Sequence, residues 1–201
     1  DLAGVALGSS ILWPTLILFM GVIQAVTPTV SQLNGSRSYS EIGEVIRQGI
    51  WMAIFGGAAI FFILNNMGPV YELMRVDPTA VAIALPYLSM ASYGLPALMV
   101  FFCLRFLSDG MGYTRPALII SVTALALKIP INYVLIYGKF GLPELGGVGC
   151  GVAQAIVMWL QLFLILIVVS RKRFAPTNWK SQFSLPQWRH IKPLLIVGLP
   201  I

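Results

Sequence analysis

The stretch PALIISVTALALKIPINYVLIY, residues 116–137, decides how the rest of the chain is read. It holds a single charge, Lys128, near its middle. As a helix rising 1.5 Å per residue it is about 33 Å long, enough to cross a hydrocarbon core of about 30 Å. A Lys at that depth costs about 2.5–3.5 kcal/mol on insertion scales, so an ionisable residue there is a functional hypothesis by default.

Outward from this stretch the same pattern repeats. The 201 residues are 10% charged and 58% hydrophobic, with a mean hydropathy of +0.85, whereas a soluble domain carries about 25% charged residues. Apolar blocks at about 3–30, 45–64, 79–104, 116–137 and 145–170 are each long enough, or nearly so, to span a bilayer. The pattern predicts an all-α, polytopic membrane bundle. A sixth block, 194–201, is too short to cross, and the chain starts at Asp1 rather than Met. Both ends therefore read as those of a fragment of a larger polytopic protein. Cys103 and Cys150 lie on separate apolar elements without metal-ligand spacing and are expected to be small buried hydrophobes. His190, beside Arg189, is expected to be a solvated juxtamembrane residue.

The net charge of +6 is explained by topology rather than by nucleic acid. With five spans, one face holds Arg37, Arg47, Arg105, Arg115, Arg171, Lys172, Arg173, Lys180, Arg189 and Lys192. The other face has only Arg75 and Lys139. The ten-to-two bias places the first face in the cytoplasm and Asp1 outside, so a complete protein with a cytoplasmic N-terminus would need an odd number of helices upstream, most simply one. Residues 171–192, with six basic residues, Pro176 and Pro186, read as a cytoplasmic linker between membrane units, followed by the start of another helix at 193–201.

All seven acids lie at ends or in loops, so none can meet Lys128 at depth. No intramembrane carboxylate pair, His-Glu metal motif or Ser-His-Asp set is present, which argues against an enzyme and against a metal site or cofactor. On a helix, Ser121, Lys128 and Asn132 share one face, seven and four residues apart. Pro130 removes a donor beside the carbonyl of Ala126, so a kink or a free carbonyl is expected there. Polar side chains and freed carbonyls at mid-depth suit a cation site or a water-filled cavity. Snorkelling does not explain Lys128, because the nearer interface is about 15 Å away at 1.5 Å per residue. Two readings stay open: a functional charge paired with a group outside this chain, or a structural lysine bonded to carbonyls or water. Weaker signals come from Gln24 with Thr27, and from Gln154 with Gln161; interhelical hydrogen bonding accounts for most such residues. Pro14, Pro86 and Pro96 are expected to bend or interrupt their spans, and Gly147 with Gly151 forms a small-xxx-small pair.

TPTVSQLNG (27–35), SDGMGYTRP (108–116) and above all IPINYVLIYGKFGLPELGGVGCG (129–151) resemble multidrug and toxic compound extrusion transporters of the NorM type. The resemblance runs almost end to end. It implies a twelve-helix protein in two six-helix lobes, of which this chain would be a partial N-terminal lobe, helices two to six, with 171–192 joining the lobes. It also implies an aspartate on the missing first helix, facing the positions of Lys128 and Asn132. Asparagine is common in the family where this chain has Lys128, so a sodium site in this lobe is in doubt. A fixed ammonium competes with a bound cation for that carboxylate, and a proton arriving on the carboxylate breaks the pair.

The resemblance implies export of amphipathic or cationic drugs from the inner (plasma) membrane in exchange for Na+ or H+. The partners would be the drugs, the coupling cation, the lipid bilayer and the missing first helix and C-terminal lobe. Lys128 and Asn132 would form the coupling cluster, with Gln24, Ser121 and Gln154 as further cavity residues. The alternatives are a lipid-linked saccharide flippase of the same superfamily, an intramembrane enzyme and a non-transporting scaffold. A cavity built to hold pyrophosphate would be strongly cationic, which one lysine matches poorly.

Overall fold

Apolar blocks that must satisfy their own backbone in lipid form helices, and the computed structural model, which describes residues 2–141, 143–179 and 184–198, is built of helices joined by short turns and loops. Asp1, Lys180 and 199–201 lie outside the described residues, as does the His190 side chain, so the expectations placed on them are not addressed. Among the described residues the helices are α1 (Leu2–Gln24), α2 (Val26–Gly35), α3 (Tyr39–Asn65), α4 (Gly68–Leu73), α5 (Pro78–Ser92), α6 (Leu95–Gly110), α7 (Arg115–Ile136), α8 (Gly146–Val169) and α9 (Trp188–Gly198). No strand occurs among them. The 34 residues from Leu2 to Gly35, which hold α1 and α2, and α3, α7 and α8 singly, are long and apolar enough to cross a membrane, and α5 with α6 makes a further span bent by 49°.

Two prolines set the breaks. Pro28 and Pro96 cannot donate a backbone hydrogen bond to the residue four earlier, Gln24 and Ser92, and these are the last residues of α1 and α5. Pro14, Pro86 and Pro130 lie inside continuous helices instead. One lost bond in a long helix leaves the flanking turns to hold it. Helix α9 starts at Trp188, before the apolar block at 194, because its first turns keep Arg189 and Lys192 exposed while Leu194 is buried.

Helix α6 is the centre of the bundle, with Leu95, Leu98, Met99, Phe101, Cys103, Leu104 and Leu107 buried. Helix α3 packs on α6 and α5 on α8, at contacts too close for any side chain but hydrogen. A Cβ on Gly57 would lie 2.7 Å from Pro96 Cα, and one on Gly151 would lie 2.5 Å from the Tyr87 carbonyl oxygen. The Gly151 member of the small-residue pair therefore sets how closely α5 and α8 approach. Polar side chains around the buried Ser92 tie α3 to α5 at one end of the bundle. Asn65 donates to Ser92 Oγ at 2.9 Å and accepts from Ser89 Oγ at 2.9 Å. Helix α7 lies at the margin, joined mainly to α8, and exposes Leu118, Ile119, Val122, Leu125 and Ile129. Such an outward apolar stripe fits a helix that faces lipid.

Candidate functional site

Helices α7 and α8 form an antiparallel hairpin. Its connection needs left-handed backbone, supplied by Gly138 (φ 62°), Gly141 (φ 82°) and Gly146 (φ 52°) and, unusually for a bulky residue, by Phe140 (φ 59°). The Leu145 N–H donates to the Leu135 carbonyl at 3.2 Å and closes the hairpin. An antiparallel pair places residues equidistant from the turn at one depth. Lys128 is nine residues before Tyr137 and Gln154 nine after Leu145, and Lys128 Nζ donates to Gln154 Oε1.

Lys128 is half-buried, and Gln154 takes one of its three N–H donors. Among the described residues the ion pairs are Arg47 with Glu44 and Arg105 with Asp109 at 3.6 Å; Lys128 belongs to neither. One turn on, Asn132 keeps its side-chain oxygen buried with no hydrogen-bond partner, although a buried polar atom is normally satisfied. Ser121 is half-buried two turns back on the same face of α7, and Cys150 is half-buried one turn before Gln154. The result is a cationic donor with unused capacity and an unused acceptor on one helix face. Such a pair can bind or repel charge, but it contains no nucleophile with an adjacent base. No cluster of three or more metal-ligating side chains occurs among the described residues.

Gln24 is not part of this cluster. It is exposed at the end of α1, in a separate depression lined by Gly21, Ala25, Pro28 and, from α9, Val197 and Gly198. Thr27 and Gln161 are half-buried, while Cys103 is fully buried in the core.

A second polar assembly went unread in the sequence. Gln48 is fully buried at the basic end of α3. Its amide nitrogen donates to Glu44 Oε1 (2.9 Å), the Leu185 carbonyl (3.1 Å) and Ser184 Oγ (3.3 Å), and its oxygen accepts from the Gln187 N–H at 2.8 Å. Trp51 Nε1 donates to the Ser184 carbonyl at 2.9 Å. Residues 184–187 are thus fastened to α3. The one signal was a glutamine beside Arg47 where a basic end passes into an apolar run.

This fold has counterparts among known proteins. The family model MatE matches residues 1–134. The chain belongs to the MatE family. A multidrug resistance protein MdtK of Yersinia pestis (strain Pestoides F) is 39% identical over 100% of this chain and 44% of its own length. The MATE transporter NorM-NG, solved in complex with a monobody, matches 98% of this chain and 44% of its own, with 30% identity and a TM-score of 0.65. The eukaryotic MATE transporter AtDTX14 matches 98% of this chain and 43% of its own at 18% identity; its TM-score of 0.86 establishes likeness of fold. This MatE chain therefore spans less than half the length of the relatives it matches, and it is a multi-pass membrane protein of all-helical fold.

Proposed function

We propose that the chain is the N-terminal-lobe part of a cation-coupled multidrug antiporter of the inner (plasma) membrane, exporting amphipathic or cationic drugs by alternating access. Membership of the MatE family, with a multidrug resistance protein 39% identical along the whole chain, carries this reading. The named relatives also favour drug export over the flippase alternative, and the family argues for a transporter rather than an enzyme. Residues 171–192 would link the lobes on the cytoplasmic side, with Asp1 outside.

In the proposed mechanism Lys128, oriented by Gln154, pairs with a carboxylate contributed from outside this chain, and Asn132 supplies a neutral oxygen beside them. A proton or Na+ arriving at that carboxylate competes with the ammonium. The competition weakens a charge pair made in one state of the transporter and so shifts the balance between outward and inward states. Only a differential interaction with the two states can drive such a shift.

The test is full-length protein in proteoliposomes carrying a fluorescent cationic dye. An imposed proton or Na+ gradient should drive dye movement, and dissipating the gradient should stop it. Movement of a lipid-linked saccharide without dye transport would establish the flippase instead. Chemical turnover would establish an enzyme, and no flux of either substrate a scaffold.

A further inference from the structure

At the basic face, where α7 begins and α8 ends, a groove of about 350 Å³ runs between the two helices. Arg115 and Arg171 stand at its mouth, and Ile119, Leu164, Ile167 and Val168 contribute to its walls. We propose that this groove binds one anionic phospholipid, the phosphate held by Arg115 and Arg171 and an acyl chain laid along the apolar walls.

Charge and depth select that occupant. Arg115 is the first residue of α7 and Arg171 comes two residues after α8, so both guanidiniums sit where the spans leave the hydrocarbon, at the level of lipid phosphates. Ile119 lies one turn deeper on α7; Val168, Ile167 and Leu164 lie three, four and seven residues back from Arg171 on α8. Neither arginine forms an ion pair with a described residue, and the acid nearest Arg115 in sequence, Asp109, is paired with Arg105. The neighbouring Arg173 does not line the groove; its guanidinium lies 4.6 Å from the centre of the ring of Tyr113, a groove residue. Two guanidiniums with no described carboxylate partner match a phosphate's geometry and charge. Basic pockets between membrane helices take anionic headgroups for this reason. A soluble phosphate would leave the apolar walls unused, and a zwitterionic lipid offsets its phosphate with a cation.

Full-length protein is reconstituted in vesicles of phosphatidylcholine with or without phosphatidylglycerol, extracted in mild detergent, and its retained lipid counted by native mass spectrometry. Phosphatidylglycerol should be retained at least about tenfold over phosphatidylcholine, a difference of about 1.4 kcal/mol. The R115Q/R171Q double variant should lose that preference, and each single variant should weaken it. R37Q, which removes an exposed arginine of the same face outside the groove, should keep it. Ile119→Trp, at an exposed wall position, should lower retention with no change of charge. Equal retention of the two lipids overturns the proposal, as does R115Q/R171Q behaving like R37Q. Insensitivity to Ile119→Trp would reduce the site to surface electrostatics, and displacement of the lipid by glycerol phosphate would make it a free-phosphate site; both contradict the proposal. If the double variant does not fold, the two single variants decide.

Discussion

Replacing Gln48 with alanine should loosen the hold of α3 on residues 184–187 while leaving the bundle intact. Three of the glutamine's bonds reach that segment: the Gln187 N–H at 2.8 Å, the Leu185 carbonyl at 3.1 Å and Ser184 Oγ at 3.3 Å. The amide nitrogen has two hydrogens for three acceptors, so the long Ser184 contact is shared with a stronger one. Each good bond contributes about 0.5–1.5 kcal/mol net. Loss of two good bonds and one weak one thus costs about 1–3 kcal/mol of docking. The Trp51 bond to the Ser184 carbonyl remains, and the segment stays partly tethered. Since about 1.4 kcal/mol is a factor of ten, local opening should become about 5- to 150-fold more favourable. Amide hydrogen exchange reads this at one atom, because the Gln187 N–H is protected by Gln48 itself. In the Gln48→Ala protein that amide should exchange faster by about this factor, while amides in the middle of α6 are unchanged. Exchange at Gln187 within about threefold of the parent would refute the reasoning.

Three further outcomes follow from particular contacts. Gly151→Ala puts a Cβ 2.5 Å from the Tyr87 carbonyl oxygen, and the forced separation of α5 and α8 should cost about 1–3 kcal/mol; Gly35→Ala, which meets nothing within 4 Å, should leave the unfolding midpoint unchanged. Gln154→Leu removes the only described partner of the Lys128 ammonium and should destabilise by about 1–2 kcal/mol, seen as a lower unfolding midpoint that Lys128→Met restores when the two are combined. Asp77 caps α5, accepting from the Thr79 N–H at 2.9 Å and the Thr79 hydroxyl at 2.8 Å, and these bonds hold its carboxyl below the ordinary 3.8. A lowered folded-state value means that the stabilisation is present above the ordinary value and lost as pH falls through the depressed one. Exchange at Thr79 should therefore rise only at strongly acidic pH in the parent but be raised already at neutral pH in Asp77→Ala.

Much of this architecture was legible because lipid leaves an apolar run few alternatives to a helix. The stretch at 116–137 falls almost wholly within α7 (Arg115–Ile136). The breaks were harder to read, because a proline acts on the carbonyl four residues earlier and on a helix whose other turns can absorb the loss. Pro28 and Pro96 mark breaks, whereas Pro14 does not. The bond between Lys128 and Gln154 was within reach of the sequence, since both residues stand nine from the hairpin loop; what the sequence could not give was which faces of α7 and α8 meet. Gln24 looked equivalent to Gln154 in a run of apolar residues, yet it ends α1 in a different depression. Gln48 escaped notice because three of its four partners, in 184–187, are more than a hundred residues away.

Lys128 in the full-length protein is where coupling is tested most directly. Dye efflux from proteoliposomes is measured across imposed proton and Na+ gradients for the parent, Lys128→Ala and Lys128→Asn. The proposed competition between ammonium and coupling cation predicts that both variants change the dependence of efflux on the driving ion, with Lys128→Asn shifting it toward Na+. Efflux with the same rate and the same ion dependence in all three proteins would contradict it.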